Sequence, residues 1–417
     1  MKQLELVIIG GGSAGMAAAL SAFEQGVKDL MILEKDDELG GILQQCIHNG
    51  FGLQTFHEEL SGPAYAQRYI DQIQEKKIPY ETQATVLSIT LDKQVTYVSP
   101  KNGYQTIQAK AIILAGGCYE RSAGGIQLPG TRPKGIYTAG TAQRYLNIDN
   151  VMVGRKVFIL GSGDIGLIMA RRMTLEGAEV VGVAELMPYS NGLMRNIVQC
   201  LEDYEIPLYL SHTVVRVEGF PNLERVVIAE VDANRQPIEG TEKVFEVDTL
   251  LLSVGLLPEN SLAKQLGLTI DSKSKGIVVN EKLESEIPGI FACGNGLHVH
   301  DLVDFVSREG NLAGKNAAAY IHGMEESSTF INCTAKAGVG YILPQRIHPK
   351  RVQEPLTFSL RVTKPYKQVK LRILKDNQVW KELPKRYLLP AEMVSIVMKP
   401  EDLMDIQHEL QVEVCES

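Results

Sequence analysis

Two short glycine runs carry the most legible chemistry in this chain: Gly10-Gly11-Gly12-Ser13-Ala14-Gly15 and Gly161-Ser162-Gly163-Asp164-Ile165-Gly166. Each follows an apolar run and opens a stretch of helical character. Each is followed by a glutamate, Glu34 or Glu185, 24 positions beyond its first glycine. Glycine lets the chain turn sharply from strand to helix and lets bare backbone N–H groups approach a diphosphate without a Cβ in the way. The helix N-terminus adds partial positive charge, and an acid at this distance accepts hydrogen bonds from ribose hydroxyls. A strand before, a helix after and an acid at matched spacing, found twice, predict two dinucleotide-binding folds. A carboxylate at Glu185 repels a 2′-phosphate, so the second turn favours NADH over NADPH.

Other reactive side chains cluster in two places. Gly40-Gly41-Ile42-Leu43-Gln44-Gln45-Cys46-Ile47-His48-Asn49-Gly50-Phe51-Gly52 follows Glu34, and in it Cys46 and His48 either shape a pocket or react within it. Gly294-Asn295 ends a short apolar run ahead of a helix, and His298, His300, Asp301 and Asp304 follow. This second cluster is expected to be a hydrogen-bonded polar loop without a metal ion, with His300 a candidate proton relay.

The elements that must hold these residues can be read from periodicity. In the first copy a meander is expected over Thr85–Ile89, 94–99 and 106–109, turning at Lys101-Asn102-Gly103, before a buried strand that ends at Gly116-Gly117. The second copy repeats the set over 214–217, 225–231 and 243–247, with a terminal strand reaching Gly255. The Gly289–Asn295 strand and a helix over 306–321 then return to the first fold, which makes the second fold an insertion. Beyond residue 330, strands over 357–362, 369–374, 378–380 and 393–398 predict a small β-rich domain with a hairpin turn at Asp376-Asn377. The expected domains are 1–148 and 259–329 for the first fold, 149–258 for the second and 330–417 for the β-rich tail.

Composition narrows the possibilities. The 417 residues are 44% hydrophobic and 22% charged, an ordinary globular balance. A net charge of −8 and the lack of a basic cluster oppose nucleic-acid binding. No apolar run is long enough to span a bilayer, and a strand beginning near Met1 predicts a cytoplasmic protein without a leader. The six cysteines stand far apart, which excludes a C-x-x-C pair and predicts free thiols.

Taken together, residues 1–325 resemble the two-dinucleotide-binding-domain flavoproteins of the pyridine nucleotide–disulfide oxidoreductase superfamily. The resemblance implies an α/β fold of two Rossmann-like domains. It implies FAD contacts at Gly10, Gly12, Ser13, Ala14, Gly15, Glu34, Lys35, Gly41, Val86, Gly116, Gly117, Gly294 and Asn295. It implies NAD contacts at Gly161, Gly163, Asp164, Ile165, Gly166, Glu185 and Gly255, with NADP a weaker fit. Cys46 has no second cysteine beside it, and Ile168 stands where the disulfide reductases carry a glutamate, so the resemblance does not extend to disulfide reduction.

Gly-Gly-Ile-Leu-Gln-Gln-Cys-Ile-His and Val-His-Asp-Leu-Val-Asp are similar to motifs of the FAD subunits found with anaerobic glycerol-3-phosphate dehydrogenases. They are also similar to those of opine oxidase and hydrogen cyanide synthase subunits. That implies electron transfer between NAD(H) and a partner flavoprotein subunit or a small acceptor. Two other readings stay open: an FAD electron-transfer or assembly subunit without nicotinamide activity, and a standalone amine or hydroxy-acid oxidase.

Overall fold

The computed structural model describes residues 2–323 and 330–416, and the chain divides into two compact units, residues 1–118 with 258–417, and 119–257. In the first unit the Lys2–Ile9 strand lies parallel between Leu30–Leu33 and the second half of Gly103–Leu114, with Ile9 beside Leu33 and Leu114. The second half of Lys2–Ile9, residues 6–9, is Leu, Val and Ile and wholly buried, as a parallel strand covered on both faces requires. Ile290–Ala292 pairs parallel with the far side of Gly103–Leu114, which shows that the chain returns to its first sheet after the insertion.

The terminal strand expected as a separate element is the second half of one long strand. Gly103–Leu114 pairs antiparallel with Gln94–Ser99 through its first residues and parallel with Lys2–Ile9 through its last. One strand thereby ties the meander to the parallel core. The helix expected over 306–321 begins earlier, at Val303.

Val303–Ile321 packs against the Ser13–Glu24 helix through small residues. A Cβ on Gly310 would lie 2.2 Å from the Ala14 carbonyl oxygen, and one on Gly314 would lie 2.2 Å from that of Ala18. Only glycine permits so close a helix approach.

The second unit has a parallel sheet ordered Ile136–Thr138, Thr249–Leu252, Lys156–Leu160, Glu179–Glu185 and Leu208–Leu210. His212–Glu218, Arg225–Glu230 and Lys243–Glu246 form a separate antiparallel sheet, unlike the continuous strand of the first copy. The boundary expected at 148/149 lies at 118/119. Ile136–Thr138 is an edge strand of this sheet, too short to announce itself in the sequence, and it carries the Ala139–Asn147 helix with it.

The C-terminal β region has a core of its own, including Phe358, Leu360, Leu371 and Ile373, yet it groups with the first unit rather than forming a third. Its Leu356–Val362 strand alternates buried and half-buried residues, the period of a strand with one covered face. The Tyr366–Lys375 and Gln378–Leu388 strands form a hairpin longer than expected, turning at Asp376 and Asn377, both at positive φ as a tight hairpin turn requires.

Candidate functional site

The first glycine turn is built as the spacing predicts. Gly10 takes φ +105°, and a Cβ there would meet the Ala115 oxygen at 2.3 Å. A Cβ on Gly15 would meet the Gly10 oxygen at 1.9 Å. Gly12, which precedes the Ser13–Glu24 helix, behaves differently. A Cβ on it would find nothing within 4 Å, and no side chain caps the helix. The helix therefore presents uncapped N–H groups toward open space beside Gly12. Gly41 closes on the same spot, its Cβ position 3.3 Å from the Gly12 Cα. Glu34 is buried and accepts from the Gly11 N–H at 2.5 Å and the Asp36 N–H at 2.8 Å. One bond per carboxylate oxygen leaves acceptor capacity on each.

The Gly294 region joins this turn. Gly294 sits at φ +70° with its Cβ position 2.7 Å from the Ala14 Cβ, and a Cβ on Gly296 would lie 3.4 Å from the Gly117 oxygen. Glu309, on the Val303–Ile321 helix, accepts from the Gly294 N–H at 2.6 Å. Its other oxygen meets His298 Nε2 at 2.9 Å and His300 Nε2 at 3.5 Å. Burial alone would raise the Glu309 carboxyl, but the two imidazoles pull it well below the usual carboxylate range. Burial and neighbouring His300 hold His298 below its ordinary value. Asn295 Oδ1 accepts from the His300 backbone N–H at 3.0 Å, which fixes the loop.

The polar cluster read from sequence splits on folding. Asp301 pairs with Arg361 of the C-terminal β region and accepts from the Met393 N–H at 2.5 Å. Asp304 accepts from the Thr55 N–H at 2.8 Å. The acid that does join His298 and His300 is Glu309, and these three bring potential ligand atoms within 4.8 Å of one another. Sequence reading missed Glu309 because it lies a full helix turn and more beyond the cluster. Tyr341, also missed, reaches His298 Nδ1 at 3.3 Å from 43 residues away.

Cys46 and His48 lie in the segment that passes Gly41. The Cys46 carbonyl accepts from Gly62, while burial pushes the thiol up to about 12, away from the reactive thiolate. His48 packs against Phe51 at 5.0 Å between ring centres. Lys35 is exposed, and Val86 is half-buried against the first unit's core.

The second turn repeats the backbone bonds of the first but differs in its surroundings, and a Cβ on Gly163 would meet Ser253 Oγ at 3.2 Å where Gly12 has open space. Gly161 takes φ +99° against the Ser253 oxygen, and Glu185 is buried. Glu185 accepts from the Ser162 and Met187 N–H groups at 3.0 and 2.9 Å, the counterparts of Gly11 and Asp36. The Ser162 hydroxyl donates a further bond to it at 2.7 Å. Asp164 Oδ1 accepts from the Leu193 N–H at 2.8 Å and Asn196 Nδ2 at 2.7 Å, so the segment after Glu185 is laced to the turn. Ile165 packs into that unit's core, and Gly255 takes φ +103° with open space at its Cβ position.

Comparison with known proteins places this geometry. Residues 4–310 match the family model described as pyridine nucleotide-disulphide oxidoreductase. The chain belongs to this family. It is an oxidoreductase of the FAD- and NAD(P)H-using kind. It is 25% identical over 318 residues to the hydrogen cyanide synthase component HcnB of Pseudomonas protegens, covering 70% of this chain and 66% of that one. It is 23% identical over 313 residues to an opine oxidase subunit of Agrobacterium tumefaciens, covering 70% of this chain and 61% of that one. The chain thus spans about two thirds or less of these relatives' lengths. The fold is shared with Lactococcus lactis thioredoxin reductase, at a TM-score of 0.63 and 18% identity over 77% of this chain and all of that one.

The family's flavin fits the first turn. Open space beside Gly12, uncapped helix N–H groups and a buried acid with spare acceptor capacity together suit an adenosine diphosphate. Among the described residues no helix is long and apolar enough to cross a membrane.

Proposed function

We propose that the chain moves electrons between NAD(H) and a partner subunit or small acceptor by way of FAD, as one component of a heteromeric dehydrogenase of glycerol-3-phosphate or amine and opine type. The observation that carries this reading is the matched pair of acids. Glu34 and Glu185 hold their turns through the same two backbone bonds, so both turns keep a buried carboxylate where a ribose would stand. FAD, when bound, supplies two-electron chemistry and the option of passing electrons onward. The chain's own part is to bind and orient. Gly10, Gly12, Ser13, Ala14 and Gly15 give the diphosphate its N–H groups. Glu34 holds the ribose, with Gly41, Gly116, Gly117, Gly294 and Asn295 bordering the rest. Gly161, Gly163, Asp164, Ile165, Gly166, Glu185 and Gly255 form the corresponding NAD set, and Glu185 directs it to NADH. The partner is supported by the HcnB and opine oxidase relatives, both named as subunits.

Asp164 favours a second reading. Its carboxylate stands in the first turn of the second helix and binds the chain's own Leu193 and Asn196, a negative charge beside the place a diphosphate would take. An FAD subunit silent toward nicotinamide would look like this. Anaerobic mixing with NADH separates the two: rapid bleaching of the flavin supports hydride transfer, whereas a flavin that stays oxidised with both NADH and NADPH overturns it.

A further inference from the structure

A cavity of about 570 Å³ lies within the first unit, between the Val303–Ile321 helix and the C-terminal β region. Phe305, Leu312 and Ala319 of the helix face Leu343, Pro344 and Leu356 across it, and His300 and Glu309 lie at its wall. Its size is that of a small-molecule site, and none of these wall residues belongs to either glycine turn.

The charges in the wall are unbalanced. Five cations, Lys282, Arg308, Lys315, Lys350 and Arg351, line the cavity with three carboxylates: Glu309, which meets the two histidines, Glu281, whose Oε2 accepts from the His348 backbone N–H at 2.9 Å, and Glu354, which pairs with Lys315 at 2.8 Å. Four of the cations stand outside any ion pair, although Arg308 lies over the Phe305 ring at 4.9 Å. Among the described residues, Lys282, Arg308, Lys350 and Arg351 make no ion pair, and all four line the cavity. Lys282 and Arg351 are half-buried and also line a neighbouring cavity of about 400 Å³, so they stand where the two meet. A recessed cation without a counter-ion gives up hydration and gains nothing in return. An arriving anion would supply the missing partner through charge-assisted hydrogen bonds.

We infer that this cavity binds a small organic anion. Its carboxylate or phosphate sits on Lys282 and Arg351, with Arg308 and Lys350 adding long-range attraction, and its body lies along the apolar wall toward His300. A small molecule is favoured over an acidic segment of a protein because the two half-buried cations are recessed between cavities rather than displayed on a face. The inference does not rest on the electron-transfer reading.

Calorimetry on the FAD-loaded protein tests it, with saturating NAD⁺ present to keep the probe out of the dinucleotide turns. The probe is 2-phosphoglycolate, with ethylene glycol as the neutral control. The wild type should bind the probe and not the control. Arg351→Ala and Lys282→Ala should each weaken binding about tenfold, equivalent to about 1.4 kcal/mol, and Arg351→Lys should recover part of the loss. Arg308→Ala, an exposed helix position, gives a weakened variant with no folding risk, and the flavin absorbance reports that each variant is intact. No binding by the wild type overturns the inference, as does binding that all three alanine variants retain unchanged. Binding of an acidic hexapeptide in place of 2-phosphoglycolate overturns the small-molecule assignment. None of these readings depends on whether NADH reduces the flavin.

Discussion

Two glycine-to-alanine substitutions, chemically identical but opposite in consequence, separate folding from cofactor binding. At Gly12 the backbone has φ −73°, which alanine adopts freely, and the new Cβ meets no protein atom within 4 Å. The cost of alanine at a helix-capping position is set against its smaller loss of chain entropy, so the flavin-free protein should keep its stability to within about 1 kcal/mol. The methyl group nevertheless fills the space the diphosphate would use. Losing one charge-assisted hydrogen bond costs about 1.5–3 kcal/mol, which corresponds to roughly ten- to hundredfold weaker FAD binding.

At Gly310 the new Cβ lies 2.2 Å from the Ala14 oxygen where ordinary contact begins at 3.4 Å, so the two helices must part by about 1.2 Å. Overpacking of this kind costs about 1–3 kcal/mol. Urea unfolding of both apo variants, with FAD titration followed by quenching of its fluorescence, should show Gly310→Ala destabilised and Gly12→Ala stable but poor at holding FAD. A stable Gly12→Ala that binds FAD as tightly as the wild type would refute the placement of the diphosphate.

Glu185→Arg should raise the ratio of kcat/KM for NADPH over NADH by about tenfold or more, since a cation replaces a repelling carboxylate; steady-state rates with each nucleotide check it. Stability should fall with acid in two stages. His298 is depressed below 6.5, so protonation of the unfolded chain erodes stability as pH drops through that value. Glu309 is depressed below 4.5, so its contribution is full above that value and is lost on further acidification. Denaturation midpoints measured from pH 7 downward should show the second stage flattened in Glu309→Gln. Cys46→Ser should leave flavin reduction by NADH unchanged within about twofold, because a thiol with a pKa raised to about 12 is neutral at working pH; stopped-flow absorbance reads this directly.

Much of this was legible because backbone geometry restricts the residue type. Gly10 and Gly161 stand at positive φ against a neighbouring strand's carbonyl, and only glycine tolerates that, so the turns declare themselves. The acids follow at the same spacing because a helix of 12 residues stands between each turn and the strand that leads to the acid. Pairings between distant segments were not legible. Nothing local marks Glu309 as the partner of His298, Arg361 as the partner of Asp301, or Ala14 as the backbone against which Gly310 closes. The boundary at 119 was missed for a related reason: Ile136–Thr138 is three residues long and becomes a strand only through its pairing with Thr249–Leu252. Asp376-Asn377 was read correctly because a tight hairpin depends on two adjacent residues alone.

The link from Asp301 to Arg361, with His298 to Tyr341 beside it, limits how modular the C-terminal region can be. A foreign tail grafted after the Val303–Ile321 helix would leave a mostly buried carboxylate without its guanidinium unless it supplied a cation at that place. Positions 341 and 361 therefore decide which tails are interchangeable on this scaffold, and a chimera designer should transplant them together with whatever surface is wanted.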